Sequence, residues 1–146
     1  MAAVAFSIGG SERNKITVEV INYERPASGE YHDDNWVNVG VYVTVGAFSG
    51  RFAASFLTDE FVAFRSELRK LYETLKGEAT FRTMEGQLTL NLLGDGRGGV
   101  TLKGEALDQA GVGNCLTFEM VLDQTYLAST LDGLDQIIAT FPVRAS

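Results

Sequence analysis

Alternating apolar and polar residues predict that most of the chain forms β-strands. In the clearest stretch, residues 36–45, every second residue from Val37 to Val45 is valine, while Trp36, Asn38 and Tyr42 face the other way. Similar alternation marks residues 15–21, 48–56, 79–83, 88–92, 100–106 and 116–122. Short turns separate most neighbours, and short turns favour antiparallel pairing. The pattern predicts about seven to eight antiparallel strands in hairpins and a meander.

Two segments have helical spacing instead. Over residues 58–76, Phe61, Phe64 and Leu68 begin an apolar stripe that continues to Leu75. Thr58 is the predicted N-cap, and Gly77 is placed to end this helix in a left-handed conformation. A second helix is predicted over residues 125–141, with Thr125 as N-cap and with Pro142 preventing its continuation.

These elements indicate an α+β fold, with an antiparallel sheet whose apolar face is covered by the two helices. The alternative is a two-sheet β-sandwich with flanking helices, because sequence does not decide how the helix at 58–76 connects the hairpins. A length of 146 residues fits a single domain over residues 1–146.

Charge and cysteine content limit the function classes. Twelve basic and nineteen acidic residues give a net charge of −7, which disfavours nucleic acids and anionic membranes and favours a basic protein partner. The apolar start of the chain lacks the basic region of a secretory signal, and Cys115 is the only cysteine. We therefore expect a cytoplasmic protein.

Three motifs resemble chemical sites, but the residues around each favour a simpler explanation. Gly94, Gly96 and Gly99 match a dinucleotide fingerprint, but an alternating stretch follows them where the motif requires a helix. His32 with Asp33 and Asp34 gives too few defined ligands for a metal, and the expected alternative is a solvated loop. Cys115 begins a strand, so a structural cysteine is favoured over a nucleophile paired with His32. We expect no catalysis and no cofactor.

Several short motifs carry a family resemblance. They include residues 34–39, 46–52, 77–79, 85–88, 94–98 and 113–114, and they end at residues 123–127. In this order they resemble the WapI-type immunity proteins, small bacterial α+β proteins, over about Asp34 to Leu127. The resemblance implies a protein that binds and blocks a cognate toxin inside the producing cell, and it implies no catalytic residues.

The leading hypothesis is therefore a non-enzymatic binding protein that occludes the active site of a toxin. Acidic residues in turns and loops would contact a basic toxin domain, and the aromatic Trp36 lies in the strand that follows one of these loops. The predicted contact residues are Glu30, Asp33, Asp34, Trp36, Asp95 and Asp108. The alternative is a structural or assembly domain that forms a homodimer through an exposed strand edge or through the face that carries Trp36 and Tyr42.

Overall fold

The computed structural model describes residues 4–145, and its eight strands form two four-stranded antiparallel sheets. The first sheet has the order β1-β2-β3-β4, made of Val4–Ser11, Asn14–Tyr23, Trp36–Val45 and Phe48–Leu57. The second has the order β5-β6-β7-β8, made of Lys76–Arg82, Leu88–Asp95, Gly99–Leu107 and Cys115–Asp123. The predicted α+β class is confirmed, and the strands divide between two sheets as in the alternative arrangement.

Both predicted helices are present. The single-turn helix α1 (Tyr31–Asp34) lies between β2 and β3, where sequence predicted only a loop. Helix α2 (Thr58–Thr74) connects the first sheet to the second, and helix α3 (Leu127–Thr140) follows a 3₁₀ turn at Gln124–Tyr126. The predicted boundaries for the two long helices are correct to within about two residues, the usual uncertainty of helix ends.

The same order of elements occurs twice, because each four-stranded meander is followed by a long helix. Helix α2 leaves the first sheet and packs on β5 of the second, whereas α3 leaves the second sheet and packs on β1 of the first. The two helices also pack on each other. Each helix therefore covers the first strand of the opposite sheet, and not a strand of the sheet from which it continues.

The inward faces of both sheets and the apolar stripes of both helices form one continuous core. The valines at 37, 39, 41 and 43 are buried, as are the leucines at 88, 90 and 92, so the alternation identified the inner faces correctly. At the centre, Phe6, Phe56, Phe61, Phe64 and Phe81 pack with ring centroids 5.3–6.2 Å apart. Such edge-on and tilted pairs add to the stabilisation that area burial gives.

Strand β1 is the element that the sequence prediction lacked. Phe6 and Ile8 are buried and pair with Val18 and Ile16 of β2. Their alternation is visible in the sequence, but Gly9 and Gly10 make the stretch look like an apolar segment that stops rather than a strand. Strand β1 continues through both glycines to Ser11, with a shift in register between Ile8 and Ser11.

The helix ends differ in detail from the predicted caps. Leu57 is the N-cap of α2, and Thr58 instead donates its hydroxyl to Asn35 Oδ1 at 2.7 Å. The C-terminal left-handed residue is Leu75, with a φ of 66°, rather than Gly77. At the 3₁₀ turn before α3, Asp123 accepts a hydrogen bond from the Thr125 amide at 2.9 Å, so the capping side chain lies two residues earlier than predicted.

Candidate functional site

The outer edges of β1 and β5 are covered by the helices that pack on them. The Thr130 hydroxyl of α3 donates to the Ser7 carbonyl of β1 at 2.6 Å. On the other side, Glu67 of α2 accepts from the Thr80 amide of β5 at 3.0 Å. Side chains from the helices thus supply partners for backbone groups that a sheet edge would otherwise leave unpaired.

In the described part of the chain, no helix packs closely on the outer edges of β4 and β8, although β8 also contacts β1. Within residues 4–145, no strand pairs with either of these two edges. Residues 48–51 of β4 are all exposed, and exposed and half-buried residues alternate along β8 from Cys115 to Glu119. An open edge of this kind presents unpaired N–H and C=O groups that can bind another extended chain.

A cleft of ≈ 350 Å³ lies between these two open edges. We call it the edge cleft. Its walls are residues 48–52 of β4 on one side and Cys115 and Leu116 of β8 on the other. Phe48 is 66% exposed, which is unusual for so large an apolar side chain. The edge cleft is therefore both apolar and bordered by unpaired backbone.

A second depression, an acidic groove of ≈ 600 Å³, lies between α2 and β5. Its lining includes four carboxylates and one guanidinium, those of Asp59, Glu60, Glu67, Glu78 and Arg82. Glu60 accepts from the amides of Leu57 and Met84, each at 2.7 Å, and so joins the start of α2 to the turn after β5. Burial, reinforced by the nearby carboxylates of Asp59 and Glu85, raises the pKa of Glu60 to about 7.

The predicted contact residues around α1 divide into exposed and structural groups. Glu30 and Asp33 are exposed, and Asp33 lies 3.6 Å from a guanidinium nitrogen of Arg25. Asp34 is only 2% exposed, so its expected exposure is wrong. Its carboxylate accepts from the Ser28 hydroxyl and amide and from the Gly29 amide, all at 2.8–3.0 Å. These hydrogen bonds, led by the Ser28 hydroxyl, lower the pKa of Asp34.

The other three predicted residues lie elsewhere. Trp36 is half-buried on the outer face of β3. Asp95 accepts from the amides of Arg97 and Gly99 at one end of β7, whereas Asp108 accepts from the Asn114 amide at 2.7 Å beyond the other end. The structure therefore does not gather the predicted residues into one site. Asp108, which also lines the edge cleft, is the predicted residue that a candidate site contains.

The motifs that resemble chemical sites lie in the second sheet and at α1. Gly94, Gly96 and Gly99 belong to the β6–β7 hairpin, as predicted. Cys115 is exposed rather than structural, and partial desolvation together with the Glu105 carboxylate raises the pKa of its thiol. A raised pKa makes a thiol a weaker nucleophile at neutral pH. Across the described residues, no cluster of three or more His, Cys, Asp or Glu has an arrangement that could hold a metal.

Sequence reasoning missed both depressions. Glu60, Ala63 and Glu67 have helical spacing beside the apolar stripe of α2, so their shared face could have been found from the sequence. The edge cleft could not, because which strands lie at sheet edges depends on pairing between distant segments. For the part of the chain that the structure describes, no helix combines the length and the apolar character needed to span a membrane.

The fold is an α+β fold in which each long helix packs on the opposite meander sheet. Its acidic groove and its open apolar cleft are surfaces suited to binding. The chain belongs to the WapI-like immunity protein family, whose model matches residues 7–142, nearly the whole length. This confirms the resemblance found in the sequence motifs and extends it at both ends. A comparison with curated proteins gives no match.

Proposed function

We propose that this protein neutralises a cognate bacterial toxin by binding to it and occluding its active site, without catalysis. The observation that carries the proposal is the match to an immunity protein family over residues 7–142. An immunity protein must act where the toxin would otherwise damage its producer, so the proposed location is the cytoplasm of the producing cell.

Charge supports a basic toxin domain as the partner. The net charge of −7 creates a negative potential that attracts a positively charged protein over distances of about a Debye length, roughly 8–10 Å at physiological salt. The acidic groove concentrates part of this charge on one side of the molecule. Complementary charge chiefly speeds association and excludes wrong partners.

The proposed contacts from the acidic turns are Glu30, Asp33, Asp95 and Asp108, with Trp36 as an adjoining aromatic group. Glu30, the N-cap residue of α1, and Asp33, within α1, are the most available because both are exposed. Asp95 and Asp108 each also hold a turn through backbone amides. Asp34 is buried and acts indirectly, by fixing the loop that presents Glu30 and Asp33.

The test is co-expression with the toxin module encoded next to this protein in its genome. We expect cells that make both proteins to grow and cells that make the toxin module alone to die. Growth that is the same with and without this protein would contradict the proposal. A purified complex would then show whether the toxin is inhibited by direct binding.

Two double variants, one without charge and one with charge retained, test the proposed contacts at α1. The double variant Glu30→Gln/Asp33→Asn removes both charges, and the matched control Glu30→Asp/Asp33→Glu keeps them. We expect the neutral variant to bind the toxin module at least about tenfold more weakly, whereas the control should bind as the wild type does. Equal affinities would remove these two residues from the interface.

The open edges favour the alternative, a homodimer formed by edge-to-edge pairing, as a second candidate. Phe48, exposed at the start of β4, would be covered in such a dimer. Light scattering over a range of concentrations tests whether the protein forms a homodimer, which a toxin-binding protein does not require. A monomer at all concentrations would remove the dimer.

A further inference from the structure

The outer edge of β8 offers backbone groups in a form that fits one kind of ligand. Cys115–Glu119 are hydrogen-bonded to β7 on one side, and no strand of the described chain lies on the other. An extended peptide can pair with such an edge, because its own N–H and C=O groups repeat at the same spacing. At the edges of β1 and β5, by contrast, a helix packs on the strand and a helix side chain already bonds one backbone group, the Ser7 carbonyl and the Thr80 amide respectively.

The charge around this edge selects a basic segment. Between Gly99 and Asp123 the chain carries four carboxylates and one basic residue, Lys103. Arg51, on the facing wall of the edge cleft, adds a second basic residue. Lys103 lies directly opposite Glu119 in the β7–β8 pair, whereas Glu105 lies opposite Thr117 and Asp123 lies opposite Gly99, so these two carboxylates face no basic residue across the ladder. At β8, a basic segment is favoured over a second copy of this chain, because two copies would each carry a net charge of −7 and repel each other.

The two faces of β8 determine which side chains an added strand would need at alternate positions. Leu116 and Phe118 are half-buried on the inner side, and Leu116 lines the edge cleft. Thr117 and Glu119 are exposed on the outer side. Side chains of an added strand alternate in the same way, so one set would enter the apolar cleft and the other would lie beside Thr117 and Glu119.

We propose that an extended segment of the cognate toxin, with alternating apolar and basic residues, adds to β8 as a ninth strand over Cys115–Glu119. The identity of the partner rests on the proposed function, but the edge and its charge do not. The interface is then built from backbone hydrogen bonds, an apolar row in the edge cleft and a basic row on the acidic outer face.

A synthetic peptide tests this edge without any toxin. The probe is a blocked peptide in which lysine alternates with valine, and its control carries N-methyl groups on alternate amides, which removes hydrogen-bond donors without changing charge. We expect the probe to slow amide exchange at some of residues 115–119 by about tenfold or more, and the methylated control to have no effect. Equal effects of both peptides, or protection confined to β4 or to the acidic groove, would overturn the proposal.

Two charge reversals test the same edge in the full-length protein. Glu119→Lys places a positive charge on the open edge, and Glu78→Lys makes the same change on the outer face of β5, at the covered edge. We expect Glu119→Lys to weaken peptide binding at least about tenfold, with Glu78→Lys near wild type and circular dichroism unchanged in both. The reverse order would assign binding to the acidic groove and would overturn the proposal.

Failure of this inference is distinguishable from failure of the proposed function. If the wild-type protein protects cells from the toxin module and Glu119→Lys protects equally well, the edge proposal is wrong and the function stands. If no protection occurs, the function is wrong, and the peptide measurements still decide whether β8 accepts a basic strand. A dimer whose β8 amides are protected before any peptide is added would make a second copy the occupant and would also overturn the proposal.

Discussion

Five of the six buried polar residues in the described chain pair their side chains with backbone groups, and the sixth, Thr58, pairs with the Asn35 side chain. Asn35 is the clearest case, since its side chain donates to the carbonyls of Tyr31 and Arg144 and accepts from the Thr58 hydroxyl and the Arg144 amide, at 2.7–2.9 Å. It joins α1, α2 and the C-terminal segment. Among the described residues, no buried side-chain nitrogen or oxygen lacks a partner.

Thr130 gives a direct test of one such contact. Its hydroxyl is fully buried and donates to the Ser7 carbonyl at the edge of β1. Thr130→Val keeps the shape but leaves that carbonyl unpaired, so we expect a loss of about 1–3 kcal/mol in the free energy of unfolding. Chemical denaturation measures it, and Thr140→Val, at an exposed position on the same helix, is the control. A loss no larger than the control's would show that the contact does not stabilise the edge.

Glu60 predicts a dependence of stability on pH. Its pKa, raised by burial from 4.5 to about 7, means that the folded protein favours the protonated side chain. The resulting stabilisation is fully present below the ordinary pKa of 4.5 and is lost as the pH rises through about 7. We expect the unfolding free energy of the wild type to fall over this window, and Glu60→Gln to show a flatter profile.

Denaturation at a series of pH values provides the measurement for Glu60. The control is Glu73→Gln, since Glu73 is exposed on the same helix. It should keep the wild-type profile. Identical profiles for all three proteins would show that the Glu60 carboxyl does not titrate in this window.

At the scale of elements, Gly133 explains how closely α3 approaches β1. A Cβ at this position would lie 2.5 Å from the Ala5 carbonyl oxygen and 2.9 Å from the Phe6 Cα, both backbone atoms that cannot move aside cheaply. In the sequence, this glycine reads only as a weak point of the helix. In the structure it is what allows Thr130, one turn earlier, to reach the strand edge.

Gly133→Ala therefore sets two effects against each other. Helix propensity favours alanine by about 1 kcal/mol, whereas the clash with β1 costs about 1–3 kcal/mol or more. We expect the clash to win and the melting temperature to fall. Ala139→Gly, at an exposed position of the same helix, should lose about 1 kcal/mol through propensity alone. A melting temperature raised by Gly133→Ala would show that the helix is not held this closely.

The elements that sequence predicted well are those whose signal is local. Seven strands and both long helices follow from alternation, spacing and turn residues, because burial of one face determines those patterns directly. The division into two sheets was one of two alternatives, since pairing joins distant residues. The candidate site was harder still, because the burial of Asp34 and the exposure of the β8 edge depend on contacts that no spacing encodes.

At the scale of the whole molecule, the net charge of −7 predicts that association with the proposed basic toxin domain is sensitive to salt. We expect the association rate constant to fall at least about tenfold between low and high ionic strength, because screening removes long-range attraction. The dissociation rate constant should change little, because short-range contacts set it. Stopped-flow or surface-binding kinetics with the toxin module separate the two constants. A rate of association independent of salt would exclude electrostatic steering.

The crossed placement of α2 and α3 has a consequence for how the polypeptide could be divided. Cutting between Leu75 and Lys76 would give two fragments, each a meander ending in a helix that packs mainly on the other fragment. Neither fragment would keep the helix that covers its own first strand. We expect each fragment alone to remain unfolded or to aggregate, and the mixed pair to reassemble by complementation, which circular dichroism of the fragments apart and together would show.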